Sequence, residues 1–216
     1  MTCCGHCEDA GDFFNERTAK RELKKYRRRG PDKSTRLLIE SIPDEAIEGS
    51  TLLDIGGGIG AIQFELFRKN LQHSINVDAS QAYQAVSKKE AAERGLNEKT
   101  DYHFGDFTEV APTLPNADIV TLDKVICCYP DMDLLLKTSL EKTGSYYGLI
   151  FPRENVLTRI GFKLVNFWFK IRRSEFRTYL HPHAKVEEVI RSYGFREKKQ
   201  ERTILWRVLW YEKTEK

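Results

Sequence analysis

The chain alternates short, continuous apolar runs with longer segments in which apolar residues recur every three or four positions. The run Thr51–Ile55 is followed directly by glycines and is typical of a parallel strand buried in a sheet. Runs of the same kind predict further strands over residues 74–78, 101–107, 117–122 and 146–151. Helical spacing is found over residues 33–42, 60–70, 81–94, 132–142 and 184–193, and a first helix capped by Asp12 or Asn15 runs to about residue 29. This alternation predicts an α/β fold of βαβ units around a mostly parallel sheet.

The alternation divides the chain into two parts. Residues 1–44 form a Cys-rich tail and a helical extension, and residues 45–216 form the main α/β domain. An insertion of about residues 153–178 follows the fifth strand and is predicted to lie as a lid over the carboxyl edge of the sheet. The domain ends in β segments over 195–201 and 203–211, separated by one residue, and these predict a hairpin.

The segment Leu-Asp-Ile-Gly-Gly-Gly-Ile-Gly-Ala, residues 53–61, joins the first strand to a helix. Glycines allow a tight turn and close approach of a ligand, and the helix N-terminus carries partial positive charge. Gly56-x-Gly58-x-x-Ala61 fits the dinucleotide-binding pattern, and an ordinary tight turn is another interpretation. Asp54-x-Gly56-x-Gly58-x-Gly60 resembles the turn of class I S-adenosylmethionine (SAM) methyltransferases.

Acidic residues near the strand ends favour SAM over a dinucleotide. Asp78 can accept from ribose hydroxyls, Asp106 from the adenine amine, and Asp54 can hold a cationic ammonium group where a pyrophosphate would be repelled. The simpler alternatives are that Asp78 caps the next helix and that Asp106 ends its strand in a turn. The predicted cofactor-binding residues are Asp54, Gly56, Gly58, Gly60, Asp78, Ala79, Asp106, Phe107 and Asp123.

Residues 52–195 resemble the magnesium-protoporphyrin O-methyltransferase group of small-molecule methyltransferases. Besides the glycine turn, the likeness rests on Leu-Asp-Lys-Val-Ile-Cys-Cys-Tyr-Pro at 122–130, Phe-Pro-Arg at 151–153 and Arg-Thr-Tyr-Leu-His at 177–181. The resemblance implies a Rossmann-like sheet of seven strands, mostly parallel, with the last strand inserted antiparallel. That group usually carries a His, thought to help deprotonate a propionate, where this chain has Cys128, so the likeness does not carry the porphyrin acceptor over.

Three residues are candidates for contact with the reacting groups. Tyr129 precedes Pro130 and can orient an acceptor oxygen, Cys128 can line the pocket, and His181 can titrate near neutral pH as a base. The alternatives are structural roles: Tyr129 packs against its own loop, Cys128 lies in the core, and His181 is a loop residue or caps the last helix.

Composition narrows the function classes. The 216 residues are 40% hydrophobic and 31% charged with a net charge of +3, and no apolar run is long enough to span a membrane. Five cysteines, two pairs of them adjacent, do not resemble a disulfide framework and favour a cytoplasmic location. No metal is predicted at Cys3, Cys4, His6 and Cys7, because one ion bound by all four would strain so short a loop.

Two basic segments have several interpretations. The helix over 17–29 is predicted to be a solvated cover for the active site, without a nucleic-acid partner. The lid contains aromatic residues that can surround a flat acceptor: Phe162, Phe167, Trp168, Phe169 and Phe176. It also contains basic residues that can form ion pairs with carboxylates of the acceptor: Lys163, Lys170, Arg172, Arg173 and Arg177. Equally, the lid can be a surface helix whose aromatics enter the core, or one that faces a membrane.

The sequence therefore predicts a SAM-dependent methyltransferase for a small aromatic or carboxylated acceptor, with O-methylation favoured. The alternatives are an NAD(P)-dependent oxidoreductase and a SAM-binding module without turnover. Gly58→Val or Asp78→Ala is expected to abolish SAM binding in calorimetric titration, and binding retained by both variants would contradict the assignment.

Overall fold

The computed structural model describes residues 14–214 and shows seven strands joined in a single sheet there. The strands are β1 (Thr51–Ile55), β2 (His73–Asp78), β3 (Thr100–Phe104), β4 (Ala117–Asp123), β5 (Thr143–Pro152), β6 (Phe195–Arg202) and β7 (Trp206–Lys213). Their order is β3-β2-β1-β4-β5-β7-β6; the first five are mutually parallel, and β7 runs antiparallel to both of its neighbours. This confirms the predicted Rossmann-like, mostly parallel sheet and its C-terminal hairpin.

Helices cover both faces of the sheet because successive residues of a buried strand point to opposite sides. The helices are α1 (Glu16–Arg29), α2 (Lys33–Ser41), α3 (Asp44–Ile47), α4 (Ala61–Phe67), α5 (Gln81–Glu93), α6 (Phe107–Val110), α7 (Met132–Glu141), α8 (Val156–Ile171) and α9 (His183–Ser192). Leu53 of β1 belongs to the core under α7 and α9, whereas Leu52 belongs to the core under α2 and α4.

The N-terminal helices pack on the rest of the chain. Asn15 caps α1 by accepting from the Thr18 amide at 3.1 Å. The Tyr26 hydroxyl of α1 donates to Glu65 at 2.8 Å, and Arg27 forms an ion pair with Glu90 of α5. The division of the chain at residue 44 stays a prediction, and Cys3, Cys4, His6 and Cys7 lie outside the described residues.

Two predicted element boundaries are wrong for local reasons. The third strand ends at Phe104 instead of residue 107, because Gly105 has φ +138° and Asp106 then caps α6 by accepting from the Thr108 amide at 2.8 Å. The turn between β6 and β7 takes residues 203–205 instead of one residue, and the Thr203 amide closes it by donating to the Trp206 carbonyl at 2.8 Å.

Gly148 of β5 lies beneath α2, at a point where the helix contacts the sheet. A Cβ atom there would lie 2.9 Å from Leu38 Cδ1 and 3.1 Å from the Trp210 ring. Gly148→Ala is therefore expected to lower the free energy of unfolding by about 1–3 kcal/mol, the usual cost of overpacking a core. Urea denaturation followed by fluorescence measures the change.

Gly161→Ala is the matched control, because a Cβ at this position on α8 meets no atom within 4 Å. Alanine favours helix over glycine by about 1 kcal/mol, so this variant is expected to be unchanged or more stable. Equal destabilisation of both variants would show that close packing at Gly148 is not the cause.

Candidate active site

A cavity of about 660 Å³ opens at the carboxyl ends of β1, β2 and β4. Its size is within the range of ligand sites, and its wall is completed by Glu22, Lys25 and Tyr26 of α1. The lining includes most of the residues that the sequence predicts for a site: Asp54, Gly56, Gly58, Asp78, Ala79, Asp106, Phe107, Asp123, Cys128 and Tyr129. Gly60 and His181 are not among the described residues that line it.

The glycine turn shapes the floor of this cavity. Gly58 has φ +56°, a left-handed conformation that favours glycine, and its amide donates to Asp78 Oδ2 at 2.8 Å. Gly60 has φ +82°, and a Cβ there would lie 2.6 Å from Ser87 Oγ of α5. Gly58 therefore lines the cavity and holds Asp78 there, whereas Gly60 allows α4 and α5 to pack together.

Asp54 and Asp78 place two carboxylates beside the turn. The pKa of Asp54 is raised to about 7, chiefly by burial and also by the carboxylates of Asp123 and Asp78. The hydrogen bond that Thr121 donates at 2.7 Å acts in the opposite direction. Burial likewise raises the pKa of Asp78 to about 6, although the amides of Gly58 and Ser80 both donate to it. Within residues 14–214 no basic side chain forms an ion pair with either carboxylate, so a cationic ligand fits here.

Asp123 is neutralised by the protein itself. Lys124 Nζ lies 2.9 Å from Asp123 Oδ1 and 2.8 Å from Asp32 Oδ2, and the Thr35 hydroxyl donates to Asp123 Oδ2. Burial alone would raise the pKa of Asp32, but the charge of Lys124 lowers it to about 2. This network ties the start of α2 to the end of β4, so Asp123 closes the wall of the cavity between them.

Tyr129 joins the segment after β4 to the segment after β3. Its hydroxyl donates to Asp106 Oδ1 at 2.9 Å and accepts from the Phe107 amide at 3.2 Å. Asp106 also caps α6, and Phe107 is almost wholly buried. The structure therefore places the Tyr129 hydroxyl against the predicted adenine-binding acid, and the ring beside it in the cavity wall.

Cys128 and His181 have different surroundings. The thiols of Cys127 and Cys128 both lie against the Lys124 carbonyl, at 3.2 and 3.8 Å, and Cys128 is the more exposed of the two. A hydrogen bond with Cys128, together with burial, raises the pKa of the Cys127 thiol. His181 Nε2 donates to the Tyr129 carbonyl at 2.9 Å, so it holds the Tyr129 loop from behind.

The predicted lid contains α8, whose inner side borders the cavity only indirectly. Phe169 packs on Phe176 with ring centroids 5.1 Å apart, and Phe176 lines the cavity. Phe167 and Trp168 are exposed to solvent. Within residues 14–214, the cavity is not lined by any of the basic lid residues Lys163, Lys170, Arg172, Arg173 and Arg177. No helix in the described part of the chain has the length and apolar character needed to cross a bilayer.

Sequence reasoning missed the residues that bring α1 and α2 into the site. Thr35, Lys124 and Tyr83 all line the cavity. Lys124 has φ +63°, an uncommon conformation for a residue other than glycine, and the basic residue next to Asp123 was the only signal for this ion pair in the sequence. Tyr83 and Thr35 lie on predicted helices whose faces the sequence alone does not orient.

Comparison with known proteins agrees with the fold and the turn. A family model described as an O-methyltransferase domain matches residues 10–143, more than half of the chain. A search of curated proteins finds no match. Among solved structures, the magnesium protoporphyrin IX methyltransferase of Synechocystis PCC 6803, with bound SAH, is 16% identical with a TM-score of 0.68, and the match covers 95% of this chain and 98% of that one.

Two further solved structures are similar at this level. An O-methyltransferase family 2 protein from Planctomyces limnophilus, in complex with apigenin, is 17% identical with a TM-score of 0.61, over 86% of this chain and 64% of that one. The [4+2]-cyclase SpnF is also 17% identical with a TM-score of 0.61, over 83% and 80%. At such low identity these likenesses show the fold alone, since one fold hosts several chemistries.

The burial of Asp54 predicts a stability that depends on pH. The pKa of about 7 lies above the value of 3.8 for an exposed Asp, so the folded state binds the proton more tightly and loses stability as pH rises from about 4 to 7. Asp54→Asn removes this loss. At pH 8 the melting temperature of the variant is expected to be a few degrees higher than that of wild type. For a chain of this size, each gain of about 1 kcal/mol in the free energy of unfolding raises the melting temperature by roughly 2–4 °C.

Scanning fluorimetry between pH 5 and 8 measures the difference in melting temperature between Asp54→Asn and wild type. Asp44→Asn is the control because Asp44 is exposed and pairs only at the surface with Lys69. A difference for Asp54→Asn that stays constant across this pH range would show that its carboxyl group does not titrate there.

Proposed function

Because the chain belongs to the O-methyltransferase domain family and is thus a SAM-dependent methyltransferase, we propose that it methylates an oxygen of a small aromatic or carboxylated acceptor. The proposal is supported chiefly by one observation: the same cavity is lined by the carboxylates of Asp54 and Asp78, which no basic side chain within residues 14–214 pairs, and by apolar side chains such as Leu134 and Phe176. Membership of this methyltransferase family argues against the alternative function of an NAD(P)-dependent oxidoreductase.

The carboxylates fit the charge of SAM. SAM supplies a methyl group on a positively charged sulfur, and its methionine part carries an ammonium group. We assign Asp54 to the ammonium group, Asp78 to the ribose hydroxyls and Asp106 to the adenine amine, with Ala79 and Phe107 beside the adenine. The Gly58 amide helps by fixing one carboxylate oxygen of Asp78 at 2.8 Å.

The acceptor is assigned to the part of the cavity lined by Cys128, Tyr129, Leu134 and Phe176. These side chains are apolar or weakly polar, and they suit a flat, apolar molecule. No histidine belongs to the cavity lining among the described residues. An acceptor carboxylate is already ionised at neutral pH and needs no base, so formation of a methyl ester is favoured over methylation of a phenol.

The protein's part in the reaction is alignment and exclusion of water. Tyr129 is held by Asp106, by the Phe107 amide and, through its carbonyl, by His181, so its ring forms a fixed wall for the acceptor. A phenolic acceptor would instead need a base, and Cys128, in its thiolate form, is the group in this wall that would accept the proton of the phenol.

SAM affinity is expected to fall as the pH is lowered, because the cation needs ionised partners. If Asp54 must be ionised, its pKa of about 7 leaves about a tenth of the protein competent at pH 6, so binding should weaken roughly tenfold between pH 8 and 6. Calorimetric titration in two buffers of different ionisation enthalpy measures both the affinity and the protons released.

Asp54→Asn should bind SAM weakly at every pH in this range and release fewer protons than wild type, because only Asp78, with a pKa of about 6, still titrates beside the ligand. The matched control is Asp44→Asn, which should behave as wild type because Asp44 does not line the cavity. Affinity of the wild type that does not change with pH would exclude a role for a titrating carboxylate.

The acceptor assignment is tested with matched aromatic carboxylic acids and phenols, using labelled SAM and mass spectrometry of the products. A methyl ester formed from the acid, with little product from the phenol, is the expected result. Tyr129→Phe should lower kcat/KM by about 10–100-fold, since a hydrogen bond to a charged group contributes roughly 1.5–3 kcal/mol.

Tyr193→Phe is the control for loss of a tyrosine hydroxyl. The Tyr193 hydroxyl donates to Glu141 with a distance of 3.2 Å, and Tyr193 does not line the cavity. A faster reaction with the phenol, lost in Cys128→Ser and with an altered pH profile, would instead assign the reaction to a phenolic oxygen and Cys128 to the base.

A further inference from the structure

The outer side of α8 is the most apolar surface in the described part of the chain. Of the twelve large hydrophobic side chains that are exposed within residues 14–214, eight belong to α8. They are Val156, Leu157, Ile160, Leu164, Val165, Phe167, Trp168 and Ile171. Leu164 and Ile171 are both 64% exposed. Scattered single apolar residues on a surface need no explanation, but a continuous patch marks an interaction site.

Helix geometry separates this patch from the side that packs on the protein. Thr158 and Phe169 are the buried residues of α8, and Asn166, on the same side, exchanges hydrogen bonds of 2.8 Å with the backbone of Thr178. At about 100° per residue, Ile160, Leu164, Phe167 and Ile171 lie on the opposite side. The apolar face therefore points away from the cavity and from the rest of the molecule.

Basic residues border the patch. Arg159, Lys163 and Lys170 are exposed and lie four and seven positions apart, on one flank of α8. Arg172 and Arg173 follow the helix, whose sequence contains no acidic residue. The nearest acidic residues, Glu154 and Glu175, lie beyond its ends. The helix thus combines an apolar face with a cationic edge.

The turn between β6 and β7 extends the apolar surface. Ile204 is 73% exposed, and its carbonyl accepts from the Asn155 side chain at 3.2 Å, directly before α8. The Arg153 amide donates to the Leu205 carbonyl at 2.8 Å. Two exposed apolar residues are therefore fixed beside the first turn of the helix.

We propose that the outer face of α8 binds in the plane of an anionic lipid membrane surface. Helices that lie in the interface combine an apolar face of Trp, Phe and Leu with Lys or Arg. In α8 the basic residues Arg159, Lys163 and Lys170 lie along one flank of the apolar face. Trp168 has the amphipathic ring that favours the headgroup region. A second copy of the chain suits this surface less, because an antiparallel symmetric pairing of two such helices brings their cationic edges together, whereas anionic headgroups neutralise them.

Binding in this way would place α8 between the lipid and the cavity. Phe169 on the inner side of α8 contacts Phe176, which lines the cavity. The membrane proposal does not depend on the proposed methylation, because lipid binding is measured without any acceptor.

The test is cosedimentation of the full chain with vesicles of phosphatidylcholine alone and with about 30% phosphatidylglycerol. We expect binding to the anionic vesicles that weakens in high salt, and little binding to the neutral ones. Ile160→Glu with Leu164→Glu should abolish it, since charge is placed on the apolar face. Lys163→Glu with Lys170→Glu should weaken it by about 25-fold or more, roughly fivefold for each basic residue.

Lys24→Glu with Arg28→Glu is the matched control, since it makes the same change of net charge on exposed positions of another basic helix, α1. This variant should bind the anionic vesicles as wild type does. Circular dichroism and SAM titration of the Ile160/Leu164 variant establish that it is folded.

Three results would overturn the proposal. The first is failure of the wild type to bind either kind of vesicle, and the second is unchanged vesicle binding by both α8 variants. The third is a wild type that binds no lipid but forms a dimer in light scattering, with the dimer lost only in the Ile160/Leu164 variant. The last result would assign the face to a second copy of the chain. Loss of methylation with normal vesicle binding would leave the membrane proposal standing and contradict only the proposed function.

Discussion

Carboxylates gathered at the carboxyl ends of parallel strands are the constraint on which the site depends. Parallel pairing of β1 with β2 and β4 brings Asp54, Asp78 and Asp123 to one edge of the sheet whatever the surrounding loops do. The protein supplies Lys124 to only one of them and leaves Asp54 and Asp78 beside a turn rich in backbone donors. That unequal distribution of charge favours a cation beside Asp54 and Asp78.

The part of the site that we assign to the cofactor is predictable from the sequence because its residues are close together along the chain. A strand, a glycine turn and a helix follow one another within residues 51–67, and each acid lies at or just after the end of its own strand. Even where the third strand was predicted too long, Asp106 kept its place, because a glycine with positive φ ends β3 immediately before it. Short-range rules of backbone conformation suffice for these positions.

The part of the site that we assign to the acceptor depends on contacts between distant segments, which the spacing of residues in the sequence does not reveal. His181 and Tyr129 are both predicted near the site, but only the fold shows that the imidazole donates to the Tyr129 carbonyl and lies behind the loop. In α8 the same periodicity allows either face to be buried. The pairing of Asn166 with Thr178 decides that Phe169 turns inward while Phe167 and Trp168 turn outward. Hence the aromatic residues expected around the acceptor are divided between the two sides of the helix.

The buried carboxylate of Asp54 has a consequence for the lifetime of the protein in a cell. Holding an ionised group away from water favours unfolding, and a bound cation removes that penalty, so the folded fraction rises with the concentration of the cofactor. Quality-control proteases remove chains that open, and a change of 1–2 kcal/mol in stability alters abundance severalfold. The amount of this enzyme should then follow the supply of SAM, with the empty chain degraded first when the methyl donor becomes scarce.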